Sequence, residues 1–218
     1  MLADTLSETL QHLENAAKAA HRPTPALLAV SKLQPASAVA ELARAGQRAF
    51  GENYVQEAQA KIGELAGMDL EWHLIGHLQS NKAELAAHLF DWVQTVDRHK
   101  LIGALSRYRP ADRAPLNVLV QVNIDDEASK HGCRPEEVAG LADAIAAEPR
   151  LRLRGLMAIP APHPDTARRI DAFRRMQALQ DQLAAKHPGV DTLSMGMSED
   201  YALAVAHGAT MVRIGTAL

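Results

Sequence analysis

Two spacings alternate along this chain. Short runs of apolar and β-branched residues give way to longer stretches in which apolar positions return every three or four residues, the periods that separate a strand from an amphipathic helix. After a first amphipathic stretch, MLADTLSETLQHLENAAKAA, the strand-like runs are Leu27–Lys32, Ala49–Asn53, Trp72–Gly76, Trp92–Val96, Val118–Ile124, Leu153–Ile159, Thr192–Met197 and Met211–Gly215. Helical patterns lie between most neighbours. Eight such units in 218 residues predict an α/β fold, a single (β/α)8 TIM-type barrel with an additional N-terminal helix, forming one domain over residues 1–218. A doubly wound open sheet is the alternative allowed by the same alternation.

Local signals agree with that division. Pro35 lies just past the first strand, Pro135 sits near a helix start, and Ser198-Glu199-Asp200 has the form of an N-cap followed by first-turn acids. Ile159-Pro160-Ala161-Pro162-His163-Pro164 is a stiff connection after the sixth strand, read as barrel rim rather than linker. Hydrophobic residues make up 47% and charged residues 22%, which suits a globular chain with a sizeable core. A formal charge of −3 argues against a dedicated nucleic-acid or anionic-membrane surface, and Arg168, Arg169, Arg174 and Arg175 read as a solvated helix face. Cys133 is the only cysteine, so no bridge can form within the chain, and a cytoplasmic setting is expected. The N-terminal stretch lacks the basic end and apolar block of a secretory signal, and no apolar run approaches membrane-spanning length.

In such a barrel the chemistry sits at the C-terminal ends of the strands, so the polar residues there matter most. They are Lys32, Glu52-Asn53, Gly76-His77, Asn123, Ser198 and the Arg213–Thr216 segment. Lys32 ends an apolar strand. Buried without a partner, its ammonium would cost several kcal/mol or lose its proton, leaving an amine nucleophilic toward aldehydes. The plain alternative is a lysine whose head reaches water. Arg213 stands mid-strand on one face with Met211 and Gly215, and as a permanent cation it is expected to face a polar ligand or an acid such as Glu52. Ser198, Gly215 and Thr216 fall where barrels of this kind commonly bind phosphate, beside a helix N-terminus. A capping serine next to a strand-end glycine is the structural alternative. His73 and His77 could ligate zinc, but no HExxH helix accompanies them and Gly76 interrupts the segment, so no metal is expected. P-loop, G-x-G-x-x-G and G-x-S-x-G patterns do not occur.

The stretches AVSKLQP, FGENYVQEAQAK, EWHLIGHLQSNK, RGLMAIP and LSMGMSEDYALAVAHGATMVRIGTA run from Ala29 to Ala217 and resemble the pyridoxal phosphate homeostasis protein family. The resemblance implies a barrel similar to the N-terminal domain of bacterial alanine racemase, with pyridoxal 5′-phosphate (PLP) held covalently as an aldimine on Lys32. It further implies that Arg213 faces the pyridine nitrogen, that Asn53 lies beside the ring, and that Ser198, Gly215 and Thr216 hold phosphate, with Ser194 as an added contact. Lys130 is similar to a family lysine proposed to take part in cofactor handling. Family members continue past the last strand, whereas this sequence stops at Thr216-Ala217-Leu218, so a flexible tail is expected to be missing.

An arginine opposite the pyridine nitrogen would leave the ring unprotonated and a weak electron sink. Racemisation also needs a second acid/base on the far side of the substrate. In alanine racemase a C-terminal β-domain supplies it, and this sequence ends with its barrel. The expectation is a non-catalytic PLP-binding protein of intracellular PLP homeostasis that binds, buffers or transfers the cofactor. It would be a monomer, with PLP-dependent apoenzymes as recipients. An amino-acid racemase-like PLP enzyme is the alternative, and a cofactor-free Schiff-base aldolase using Lys32 is a third reading.

Overall fold

A computed structural model, describing residues 1–216 and 218, closes eight parallel strands into a barrel in sequence order, with the first paired to the last. The elements are α1 (Leu2–Ala19), β1 (Ala26–Val30), α2 (Ala36–Arg44), β2 (Ala49–Glu52), α3 (Val55–Glu64), β3 (Glu71–Leu74), α4 (Ala83–Leu89) and β4 (Trp92–Val96). They continue with α5 (His99–Tyr108), β5 (Leu116–Gln121), α6 (Val138–Ala146), β6 (Leu151–Met157), α7 (Thr166–Lys186), β7 (Thr192–Ser194), α8 (Tyr201–Ala206) and β8 (Met211–Ile214). The open-sheet alternative is thereby excluded. Helix α1 packs against α2 and α8, filling the place in the ring that a helix after β8 would otherwise take.

Most strands stop sooner than the apolar runs predict, and they do so at the C-terminal rim. Strand β7 was expected to reach Met197 but ends at Ser194, because Gly196 turns the chain with φ 96°. Strands β5 and β6 begin two residues earlier than the hydropathy indicates. In β6 the cause is visible: Arg152 and Arg154 interrupt the apolar pattern, yet Arg154 lies 4.5 Å over the Trp92 ring and pairs with Asp191 at 2.9 Å.

The strands' period of two sorts side chains onto two faces. One face, with Leu27, Ala29, Phe50, Trp72, Leu74, Val93 and Val212, packs against the helices in a continuous apolar shell. The other fills the barrel, where Leu28, Ile75 and Met211 form one small cluster and Trp92, Leu119 and Met157 another. Between these clusters lie His73, Gln94, Ser194 and Arg213, all buried. Cys133 is buried as well, and burial pushes its thiol pKa up to about 12, which makes it chemically inert. Among the described residues no helix is long and apolar enough to cross a membrane.

Candidate functional site

At the C-terminal end of the barrel the loops surround a cavity of about 780 Å³. Lys32 after β1, Ser198 after β7, and Arg213, Gly215 and Thr216 from β8 and its end all line it. The opposite wall is the Ile159–Pro164 segment with Arg169. Five of the seven residues predicted for the site therefore converge. Asn53 and Ser194 are not on the lining.

Lys32 departs from the expectation of burial. Strand β1 ends at Val30, and Lys32 stands exposed in the turn beyond it. What is unusual instead is how tightly the turn around it is held. Leu33 adopts φ 61°, a left-handed conformation that disfavours a branched side chain, and its amide donates to Glu57 Oε1 at 2.6 Å. Ser31 donates its hydroxyl to Glu52 Oε1 at 2.6 Å. Buried Lys61 joins these pieces: its Nζ lies 2.5 Å from the Ser31 carbonyl and 2.8 Å from both Glu52 Oε1 and Glu57 Oε1. Burial raises the Glu52 carboxyl pKa, partly offset by Lys61 and Ser31. At Glu57 burial acts the same way, but Lys61 and the Leu33 amide outweigh it and hold the carboxyl below its ordinary value. Sequence reasoning missed Lys61, because Glu57 and Lys61 at i, i+4 look like an ordinary surface helix pair.

Arg213 is 3% exposed and makes no salt bridge among the described residues. Glu52, its expected partner, lies on the opposite face of the sheet and is held by Ser31 and Lys61. The guanidinium instead donates from Nη1 to Ser194 Oγ at 2.7 Å and from Nη2 to the Ala158 carbonyl at 2.9 Å. Burial lowers its pKa to about 10, so it stays cationic at neutral pH.

The Thr216 hydroxyl lies 3.3 Å from that of Ser198, so two neighbouring hydroxyls line the same cavity. Gly215 sits between Thr216 and the strand, and a Cβ there would press on Val30 at 3.1 Å. The helix expected to point at an anion is the six-residue α8, and the Asp200 carboxylate before it already accepts the Met197 amide at 2.7 Å. Beside β2, Asn53 is held close to Gly76, whose added Cβ would fall 2.0 Å from the Asn53 carbonyl oxygen. The Asn53 Oδ1 is buried with no hydrogen-bond partner.

The two histidines considered for zinc are far apart in role. His73 is inside the barrel, whereas His77 stacks on His131 at the rim, with ring centroids 3.7 Å apart and Asp97 nearby. One ligand-type atom from each of His77, Asp97 and His131 lies within 4.8 Å of the others. Lys130 pairs with Glu127 at 3.1 Å and is not part of the cavity wall.

Residues 5–218 match the family described as alanine racemase, N-terminal domain, which is the class of barrel that this fold and rim define. The chain is 53% identical over 214 residues to the pyridoxal phosphate homeostasis protein of Haemophilus influenzae, covering 95% of this chain and 90% of that one. It is 51% identical over 219 residues to the protein of that name from Pseudomonas aeruginosa, covering 100% and 94%. The chain belongs to the pyridoxal phosphate homeostasis protein family. PipY of Synechococcus elongatus, solved with PLP bound, is 38% identical with a TM-score of 0.87, over 100% of this chain and 99% of that one. D-threonine aldolase from Filomicrobium marinum shares the fold at 21% identity and a TM-score of 0.77, over 98% of this chain and 60% of that one.

Proposed function

We propose that this protein binds PLP in the rim cavity and serves intracellular PLP homeostasis, holding and handing over the cofactor without robust turnover. One observation carries the reading: an accessible lysine amine, a fixed guanidinium and a pair of hydroxyls converge on one cavity from three separate strand ends. PLP supplies an aldehyde that an unprotonated lysine amine takes up reversibly with loss of one water. The residues present fit that group. Lys32 offers the amine, and the Ser198 and Thr216 hydroxyls can donate to phosphate oxygens beside Gly215, which packs closely on Val30. Asn53 brings an unpartnered polar atom to the neighbouring strand end.

Arg213 supports storage over strong catalysis. A guanidinium has no acceptor and remains charged, so it cannot lend the ring nitrogen the proton that a powerful electron sink uses. The relatives' name supports the same reading, and the PLP-bound state of PipY supports the cofactor. PLP-dependent apoenzymes are the proposed recipients.

Borohydride reduction of PLP-loaded protein, followed by peptide mapping, tests the covalent link. The adduct is expected on Lys32 and lost in Lys32→Ala; a main adduct elsewhere overturns the assignment. Thr216→Asp places a like charge against the phosphate and is expected to weaken PLP about 10- to 100-fold. Unchanged affinity would remove Thr216 from the site. A racemase-like activity is the second reading, favoured by the alanine racemase family match. Incubation with L-alanine separates the two, since sustained formation of D-alanine contradicts the carrier.

A further inference from the structure

A single file of hydrogen bonds crosses the inside of the barrel from the cavity to the opposite end. Arg213 Nη1 donates to Ser194 Oγ at 2.7 Å, and Ser194 Oγ donates to Gln94 Oε1 at 2.7 Å. Gln94 Nε2 stands 2.9 Å from His73 Nδ1, and His73 Nε2 stands 2.7 Å from Glu71 Oε1. Ser194, Gln94 and His73 are each 0% exposed, so water does not compete for these bonds.

The two ends fix the direction of every bond. A guanidinium only donates and an ionised carboxylate only accepts. Ser194 must therefore spend its proton on Gln94, and the Gln94 amide nitrogen must face His73. The second amide proton points at Met211 Sδ, 3.2 Å away, which can only accept and so holds the amide in the same orientation. His73 is left as a neutral imidazole with its proton on Nε2. Burial depresses its pKa, and the imidazole N–H in turn holds the Glu71 carboxyl below its ordinary value.

The file also bears on how Arg213 stays buried with no carboxylate bonded to it among the described residues. Each bond polarises the next in a low-dielectric interior, so the Glu71 charge reaches the guanidinium through three neutral dipoles. The Asp200 carboxylate on the cavity wall favours the cation without bonding to it, and among the described residues no carboxylate occupies the Arg213 guanidinium. We propose that Gln94 and His73 are positioning residues, which set Ser194 as an acceptor and thereby fix the Arg213 guanidinium toward the ring of bound PLP. This rests on the PLP reading above.

Nitrogen-15 NMR of the wild-type protein without PLP is expected to show His73 as the neutral Nε2–H tautomer. A proton on Nδ1 reverses the file and overturns the proposal. Gln94→Met keeps the volume but removes both bonds, and it is expected to raise the PLP dissociation constant about tenfold and to shift the absorbance of bound PLP. Leu101→Ala, in the shell outside the barrel, serves as a destabilised control and should leave both readouts within about twofold of wild type. Wild-type PLP affinity and spectrum in Gln94→Met overturn the proposal by themselves. Wild-type protein that binds no PLP overturns the functional reading instead, and the tautomer still decides whether the file exists.

Discussion

The shell between strands and helices and the space inside the barrel are equally dry, yet they are filled on different rules. The shell is continuous and apolar, with Phe50 and Trp72 in contact at 5.8 Å between ring centroids. The interior has only two small apolar clusters, and the room between them is given to an arginine, a serine, a glutamine and a histidine. Such groups cost free energy to bury and are tolerated only when every bond is made. The shell can thus lose shape and keep its function, while the interior gains little stability from its polar file and uses it for direction. Side chains that hold the cavity's cation in place are drawn from the second region.

The largest expected effect tests the shell. Phe50 is fully buried there, and Phe50→Ala should cost about 3–5 kcal/mol in urea denaturation. PLP affinity of the folded fraction should stay within about twofold of wild type. A larger change would mean that shell and cavity are coupled and that the contrast between them fails.

Next in size is a charged pair buried within the shell, Lys61–Glu52 at 2.8 Å. Lys61→Met strands a buried carboxylate and should cost about 3 kcal/mol, whereas Lys61→Met with Glu52→Leu should recover most of that loss. The single variant should also slow PLP capture by Lys32, because the turn that carries it loses its brace. If the double variant is no more stable than the single one, the pair does not act as a unit.

How much of this was legible varies with the kind of residue. Strand alternation predicts the barrel, and the period of two puts Met211, Arg213 and Gly215 on one face, as found. Pairing Glu52 with Arg213 rests only on both lying near strand ends, whereas the same period puts Glu52 with Phe50 on the shell face, toward α3 and Lys61. The apolar run ending at Lys32 gives no sign that the strand stops at Val30. Gln94 in Trp-Val-Gln-Thr-Val looks like the solvent-facing position of a half-buried strand, and only closure of the sheet makes that face an interior. Rim residues with a chemical role could be read; those that orient them could not.

Acid should act on the interior before it acts on the shell. His73 is neutral when folded and its pKa is pushed down from 6.5, first by burial, with Glu71 and Asp91 opposing and Arg154 assisting. Its contribution is complete above 6.5 and is lost as pH falls from there toward the folded value, because the unfolded chain then binds the extra proton. The slope is at most about 1.4 kcal/mol per pH unit for one group. His77 and His207 are also pushed down, mainly by burial, so His77→Asn with His207→Asn removes the other histidine slopes, and the same variant with His73→Gln added gives the baseline that the raised Glu52 carboxyl contributes. Urea midpoints between about pH 7 and pH 5.5 that follow the same course with and without His73 would show that His73 is not held neutral.

The smallest effect lies at the junction of the two regions, in the turn that presents Lys32. Leu33 has φ 61° and an exposed side chain, so its backbone strain is not offset by packing. Leu33→Gly relieves about 1–2 kcal/mol of that strain and adds about 0.5–1 kcal/mol of unfolded-state entropy. A net gain of about 0.5–1 kcal/mol in stability is expected. The amide of residue 33 keeps its bond to Glu57, so PLP should still add to Lys32, but more slowly because the glycine turn samples more conformations. A loss of stability in Leu33→Gly would show that the left-handed turn is not strained and that the Glu52–Glu57–Lys61 network alone sets the position of Lys32.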